Sequence, residues 1–244
     1  MKKMKGTIGD NPMPTVENNT MILSKKTHEI LKNFAAINPN ICITEGNKIV
    51  TLSPTKNIMA EAEVDEKFDH TVRIFDLNRF LSTVSLMQNP ELVFANDNVV
   101  ISSSGGAKVK YWYSDPAIVQ PVTKKLSMPA VVAKLEITGQ RIGELLKASA
   151  VMQLPNLKIK SKGEDSAVAV LYDKSDPSSN EYTVELQAEY DQPFSVSFKV
   201  ETLKLIPGDY VLEISKNIVS RFTHKTEDLK YFIAMDYKTG DEQE

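Results

Sequence analysis

The stretch SKKTHEILKNFAAI at residues 24–37 decides the fold, because the chain repeats its outline as TGQRIGELLKASAVM at residues 138–152. Each stretch opens with a serine or threonine suited to cap a helix, and apolar side chains then recur at helical spacing. The apolar stripe of the first consists of Ile30, Leu31, Phe34 and Ile37. The stripe of the second consists of Ile142, Leu145, Leu146 and Met152. We therefore predict that one helix opens each half of the chain.

A shorter helix is expected later in each half. Residues 76–88 have an N-cap candidate in Asp76, and residues 199–206 precede Pro207-Gly208. Alternating apolar and polar residues indicate strands between the helices. The strands are expected at 41–45, 48–53, 58–64, 71–75, 92–95, 99–102, 108–113, 157–162, 167–172, 182–190, 194–198, 210–215, 218–222 and 229–235. The repeat thus predicts an α+β fold with two similar domains, each an antiparallel sheet with two helices on one face.

The two halves are joined by a segment that breaks this periodicity and carries Pro116, Pro121 and Pro129. The segment is apolar for a linker, so we expect it to lie along the protein surface and to form one wall of a groove. The predicted segments are a disordered leader at 1–20, a first domain at 21–114, this connector at 115–134, a second domain at 135–238 and an acidic tail at 239–244.

Charge is distributed unevenly between the predicted helices and the remainder. The four helical segments contain eight basic and four acidic residues, whereas the whole chain has a net charge of −3. The helices are therefore positive by four charges, and the rest of the chain is negative by seven. Positive helices on an acidic body indicate that a polyanion such as DNA meets the helix side of the protein.

Signals for catalysis and for metal binding are missing from the sequence. His28, His70 and His224 have no metal-ligand spacing, and the single cysteine, Cys42, has the apolar surroundings typical of a buried thiol. The glycines at 105–106 lack the spacing of a phosphate-binding loop and predict a hairpin turn. We expect a protein that is not an enzyme, needs no cofactor, does not enter a membrane and works in a reducing cytoplasm.

Four local stretches resemble the T-even-type bacteriophage sliding clamp, the processivity factor of the replicative DNA polymerase. They are LSKKTHEILKNFAAIN at 23–38, VRIFDLNRFLSTVSLM at 72–87, the spaced prolines and lysine across 115–129, and PGDYVL at 207–212. The resemblance covers residues 21–236 and leaves the leader out. It implies a homotrimeric ring of two-domain subunits, with helices lining the hole, sheets outside and subunits joined through edge strands.

The resemblance also implies two sites. Basic helix faces would contact the phosphates of duplex DNA without reading bases, which permits sliding. The DNA-binding candidates are first Lys25, Lys32, Arg79 and Lys147, which lie opposite apolar stripes, and then Lys26, Arg141, Lys199 and Lys204. Short peptides of the DNA polymerase and other replication proteins would dock beside the connector. The candidates for this groove are Ile118, Val119, Leu126, Val131, Phe232 and Ala234. The family further implies an ATP-dependent clamp loader as a partner and the cytoplasm of an infected bacterial host as the location.

Other classes of protein stay open on the residues alone. A β-rich phage structural protein with duplicated domains would share the repeat without needing aligned lysines. A duplicated enzyme or inhibitor would need a clustered polar site. A single-strand binder would need aromatic residues among basic ones, and aromatic residues make up 7% of this chain. The alternative for each lysine is an ordinary solvated helix face, and for the groove residues it is core cover under the connector.

Overall fold

The computed structural model describes residues 20–163, 165–216 and 218–239. The first half contains, in order, β1 (Thr20–Met21), α1 (Lys25–Ile37), β2 (Ile41–Ile43), β3 (Gly46–Leu52), β4 (Ile58–Phe68), β5 (Val72–Ile74), α2 (Leu77–Leu86), β6 (Glu91–Phe94), β7 (Asn98–Ser102) and β8 (Lys108–Trp112). The second half contains β9 (Val131–Ile137), α3 (Gly139–Met152), β10 (Asn156–Gly163), β11 (Ser166–Tyr172), β12 (Tyr182–Tyr190), β13 (Phe194–Lys199), a 3₁₀ turn (Val200–Thr202), β14 (Tyr210–Ser215), β15 (Val219–His224), β16 (Leu229–Ala234) and β17 (Asp236–Thr239). None of the helices in these ranges has the length and apolar character needed to cross a membrane.

The internal repeat is visible in the order of the strands. In the first half β5 pairs with β2 and β3 pairs with β4, while β1, β6, β7 and β8 form a four-stranded sheet. In the second half β13, β10, β11 and β12 are neighbours, and β9, β14, β15 and β16 follow in the same order. Both halves therefore build the same two antiparallel units, and the predicted duplicated α+β fold is confirmed.

The two halves join edge to edge through β16 and β4. These strands pair antiparallel, from Leu229 opposite Ala62 to Ile233 opposite Ile58, so a single 11-stranded sheet crosses the joint. A side-chain hydrogen bond between Tyr231 on β16 and Asn33 on α1 also supports the joint. The Tyr231 hydroxyl donates to Asn33 Oδ1 at 2.8 Å.

Each helix begins at the polar residue that the sequence predicts. The side chains of Ser24, Asp76 and Thr138 each accept a hydrogen bond from the backbone amide three residues later. The helix α1 has a second cap, because the Glu66 carboxylate accepts hydrogen bonds from the Ser24 amide at 2.5 Å and from the Thr27 hydroxyl. Burial raises the pKa of Glu66, but these hydrogen bonds outweigh burial and leave the pKa below its ordinary value.

The predicted helix at 199–206 is wrong. Strand β13 continues to Lys199, and three residues, Val200–Thr202, form a 3₁₀ turn before Pro207. The Thr202 hydroxyl donates to the Lys199 carbonyl at 2.7 Å, and too few residues are left before the proline for an α-helix to grow. Among its described residues, the second half therefore has one α-helix where two were expected.

Met152 was predicted to be buried, and this is also wrong. The helix α3 is capped at its C-terminus by Gln153, which adopts the left-handed conformation with φ 57°. This reversal turns Leu154 into the core, with 2% of its surface exposed, and leaves Met152 at 36%. Leu145 and Ser149 are the buried residues of α3.

Predicted strands coincide with β2–β8 and β10–β16, with ends that differ by up to four residues. Strands β1, β9 and β17 were not predicted. Thr20, assigned to the leader, lies in β1 and pairs with Val93 of β6, and the rest of the leader lies outside the described residues. Val131 opens β9 inside the predicted connector, and Thr239 ends β17, beyond which the tail lies outside the described residues.

Candidate DNA interface and partner groove

The predicted basic segments lie on one face of the strand layer. The helix α1 packs on β3 and β4, and α3 packs on β11. The helix α2 lies beside α1, where Ser85 Oγ is 3.3 Å from His28 Nε2. On its other side α1 contacts residues 199–208, because Asn33 Nδ2 donates to the Lys204 carbonyl at 3.1 Å.

Residues 199–208 also lie along α3. The Val200 amide donates to the Pro155 carbonyl at 2.8 Å, just beyond the end of α3. At the other end of α3, the Gly139 amide donates to the Asp209 carboxylate at 2.8 Å. The order across the surface is therefore α2, α1, residues 199–208 and α3, and we call this face the helix layer.

Four of the predicted cations are exposed on the helix layer. Lys32, Arg79 and Lys147 are exposed and form no ion pair within the described residues. Lys25 approaches Glu29 at 3.9 Å, with 92% of its side chain exposed. Ion pairs this exposed are weak, so all four cations are available to an anionic ligand.

The other four predicted cations have intramolecular partners. Lys26 Nζ lies 2.5 Å from the Glu227 carboxylate, and the hydrogen bond to Glu227 raises the pKa of Lys26 despite burial. Arg141 contacts Glu144 at 2.8 Å. Lys204 Nζ donates to the Ala36 carbonyl in the last turn of α1, where a helix favours a cation. Lys199 is mostly exposed and lies 4.0 Å from Glu201. Their role as DNA contacts stays a prediction, as it does for the first four.

The connector begins and ends on opposite sides of the joint between the halves. The amide of Ser114, just before the connector, donates to the Arg73 carbonyl on β5 at 2.9 Å. The connector ends in β9, where Val131 pairs with Ser215 of β14. Strands β4 and β16 lie between these points. On the helix side, α1 packs on β4 and the Ile206 amide donates to the Tyr231 hydroxyl of β16. The connector therefore crosses the opposite face of the strand layer, which we call the outer face.

The groove candidates occupy different depths on the outer face. Phe232 alternates with the core residues Tyr231 and Ile233 and therefore points outward, yet 5% of its surface is exposed. Val119 of the connector is 1% exposed, and neither residue belongs to the main core cluster. Leu126 and Ala234 are half-buried, whereas Ile118 and Val131 are 62% and 42% exposed. The arrangement is a buried apolar floor with exposed apolar residues at its margin.

The strand edges without a neighbour within the described ranges include those of β8 and of part of β12. Strand β8 pairs with β7 alone, and residues Tyr182–Gln187 of β12 pair with β11 alone. Trp112 on β8 is 59% exposed. Such edges present backbone hydrogen-bonding groups to another chain.

Comparison with known proteins identifies the family. Residues 24–110 match the DNA polymerase processivity factor family. Over 222 residues the chain is 31% identical to the sliding clamp of Vibrio phage KVP40, covering 88% of this chain and 99% of that protein. The chain belongs to the phage sliding-clamp family. The sliding clamps of Escherichia phage RB69 and Enterobacteria phage T4 are each 28% identical to it, with 88% of this chain and 97% of each relative covered.

Solved clamp structures share the fold of this sliding clamp at low identity. Proliferating cellular nuclear antigen from Entamoeba histolytica superposes with a TM-score of 0.65 at 14% identity, covering 86% of this chain and 94% of that one. The antigen from Thermococcus kodakaraensis gives 0.65 at 13% identity, covering 89% and 98%. The duplicated architecture is thus that of sliding clamps, even where the sequences have diverged.

The outer face of this clamp also carries lysines. Lys158, Lys160 and Lys162 alternate with the core residues Leu157 and Ile159 on β10 and therefore point outward. Lys162 pairs with Glu185, and Lys158 Nζ lies 4.8 Å from the ring centre of Tyr172. Sequence reasoning assigned no role to these lysines, although their period-two spacing was a signal that they share one face.

Proposed function

We propose that this clamp closes as a homotrimer around duplex DNA and tethers the phage DNA polymerase and other replication proteins to it. The observation that carries the proposal is the division of the surface. Exposed unpaired cations lie on the helix layer, and a buried apolar floor of Val119 and Phe232 lies on the opposite outer face. A tether needs these two surfaces and no reaction chemistry of its own, so we propose that the clamp is not an enzyme.

The joint inside the chain supports a matching joint between chains. Strand β16 pairs with β4, and the repeat equivalents of these two strands are β8 and β12. Lys110-Tyr111 on β8 corresponds to Lys230-Tyr231 on β16. Both equivalents have open edges, so β8 of one copy pairs with β12 of the next. Such head-to-tail pairing closes into a ring.

The ends of the helices support the same joint. In the chain, α1 of the first half lies next to residues 199–208 of the second half. In the internal repeat, α3 corresponds to α1, and α2 corresponds to residues 199–208. The matching contact between copies therefore joins α3 of one copy to α2 of the next. Val151 at the end of α3 is 75% exposed and Leu86 at the end of α2 is 79% exposed. Contact between copies would bury these apolar side chains.

In the ring, three helix layers surround the DNA. Each copy contributes the exposed cations Lys25, Lys32, Arg79 and Lys147. Lysine and arginine contacts to phosphates are independent of sequence and weaken steeply with salt, which suits a clamp that slides. The outer groove stays accessible to polymerase peptides and to an ATP-dependent clamp loader that opens the ring. We place this work in the cytoplasm of the infected host.

Light scattering coupled to size exclusion tests the ring. We expect a mass of three chains of 27.2 kDa each, and a monomer that persists at high concentration would contradict the proposal.

Retention on nicked circular DNA tests the lining. Reversal of Lys32 and Lys147 to Glu should shorten retention of the loaded clamp at moderate salt, whereas the same reversal at the outer-face residues Lys160 and Lys162 should not. Equal retention for both pairs of variants would remove the helix layer as the DNA surface.

A further inference from the structure

Arg73 is a cation at the start of the connector. Its neighbours Val72 and Ile74 are buried in the core, so strand alternation places the Arg73 side chain on the outer face. Its own carbonyl accepts the Ser114 amide at 2.9 Å. Cys42 lies directly opposite on β2 and is buried, with 8% of its surface exposed. The Arg73 guanidinium therefore emerges where the connector enters the outer face.

This guanidinium has no partner among the described residues. Its Nε is buried and makes no hydrogen bond, and the side chain forms no ion pair. The two other partly buried arginines differ, because Arg141 contacts Glu144 at 2.8 Å and Arg221 contacts Glu213 at 2.6 Å. A desolvated charged donor without an acceptor is unfavourable, so an anion that reaches Arg73 gains a preorganised, strong hydrogen-bonding partner.

The surroundings of Arg73 favour an anion supplied by another molecule. The connector, residues 115–134, contains three exposed lysines, Lys124, Lys125 and Lys134. Its one acidic residue, Asp115, is exposed, accepts the Ala117 amide at 2.7 Å and forms no ion pair with Arg73. Burial raises the pKa of the Cys42 thiol against the opposing charge of Arg73, so the thiol opposite stays neutral and supplies no counter-charge. The basic connector and the apolar floor together match a peptide with both apolar and acidic side chains.

We infer that Arg73 binds a carboxylate side chain of the peptide that docks beside the connector, so that the groove selects partner segments that carry an acidic residue as well as apolar anchors. This inference rests on the proposed groove. The apolar floor contributes binding affinity. The planar guanidinium fixes the orientation of the bound peptide, because it can hold a carboxylate through two parallel hydrogen bonds. The exposed side chains of Lys124 and Lys125 attract the acidic peptide but do not fix its orientation.

The test measures peptide binding by fluorescence anisotropy. Overlapping 15-residue peptides that cover the phage's own DNA polymerase are titrated with the wild-type clamp, and the tightest binder is remade with every Asp and Glu changed to Asn and Gln. Arg73→Gln should raise the dissociation constant of the acidic peptide about 10- to 100-fold, the range for charge-assisted hydrogen bonds. The amide peptide should bind Arg73→Gln as tightly as it binds the wild-type clamp. Arg73→Lys should restore part of the affinity, and Lys160→Gln on the outer face of β10 should change nothing.

Other results would contradict either the carboxylate contact or the groove itself. If the acidic peptide binds Arg73→Gln as tightly as wild type, the carboxylate contact is overturned and the groove stands. If no polymerase peptide binds the wild-type clamp, the groove and this inference both fail. If a single-stranded oligonucleotide displaces the peptide and loses affinity in Arg73→Gln, the ligand is nucleic acid and the inference is overturned. Should Arg73→Gln fail to fold, the acidic and amide peptides on wild type still decide the question.

Discussion

Glu66→Gln tests the side-chain cap that positions α1, the helix that carries Lys25 and Lys32. The carboxylate of Glu66 accepts hydrogen bonds from the Ser24 amide and the Thr27 hydroxyl. Hydrogen bonds to charged groups contribute about 1.5–3 kcal/mol, and a negative charge at a helix N-terminus adds about 0.3–1 kcal/mol. A glutamine keeps one acceptor oxygen and loses the charge. We therefore expect the free energy of unfolding to fall by about 2–3 kcal/mol.

The stabilising effect of Glu66 depends on pH. The folded pKa of Glu66 lies below the ordinary value of 4.5, so its stabilising effect is complete above pH 4.5. The effect is lost as the pH falls through the lower folded value, because both folded and unfolded chains are then protonated. Urea unfolding followed by circular dichroism at neutral pH and at successively lower pH should show the difference between wild type and Glu66→Gln shrinking.

An exposed carboxylate on the same strand provides the matched control. Glu63 on β4 is exposed, so Glu63→Gln should change the free energy of unfolding by less than about 0.5 kcal/mol at any of these pH values. The reasoning about Glu66 would be refuted by a loss at neutral pH no larger than that of Glu63→Gln. It would also be refuted by a loss that stays constant on acidification.

Three further substitutions probe the groove, the joint between copies and the joint inside the chain. Val119→Asp places a charge on the apolar floor of the groove and should abolish polymerase stimulation, while light scattering still reports a trimer; intact stimulation would move the groove elsewhere. Trp112→Ala removes an exposed aromatic from the open edge of β8 and should raise the dissociation constant of the trimer about 30-fold, the effect of a moderate interface hot spot, with unchanged monomer unfolding. Trp112→Phe should retain most of the affinity, and an unchanged trimer in Trp112→Ala would argue against the β8 joint. Tyr231→Phe removes the hydroxyl bonded to Asn33 and should lower the free energy of unfolding by about 1–2 kcal/mol in urea titrations; no measurable loss would mean that water replaces this contact.

Local signals in the sequence were sufficient for most of the elements. The caps Ser24, Asp76 and Thr138 and the period-two strands follow from interactions within a few residues, and the structure confirms them. The helix at 199–206 failed because its polar and apolar order fitted a helix, while the preceding strand and the following proline left it no room. Strand β9 was missed because proline and apolar residues in the connector hid its start at Val131.

The candidate sites were predictable to a smaller extent. A helical period shows which lysines lie opposite an apolar stripe, and Lys32, Arg79 and Lys147 are indeed exposed. The period does not show which lysines find acids elsewhere. Lys26 meets Glu227, far away in the sequence, and such a pairing depends on how the halves pack.

By itself, the sequence determined that this protein is a duplicated α+β chain with basic helices, because caps, periodicity and composition act over short stretches. Only the tertiary structure decided the rest. It joined β16 to β4, left β8 and part of β12 with open edges, and separated exposed cations from cations held by partners. It also left Arg73, beside the connector, without a partner in the part of the chain that the structure describes. These outcomes depend on contacts between residues distant in the chain, and such contacts exist once the two halves have packed together.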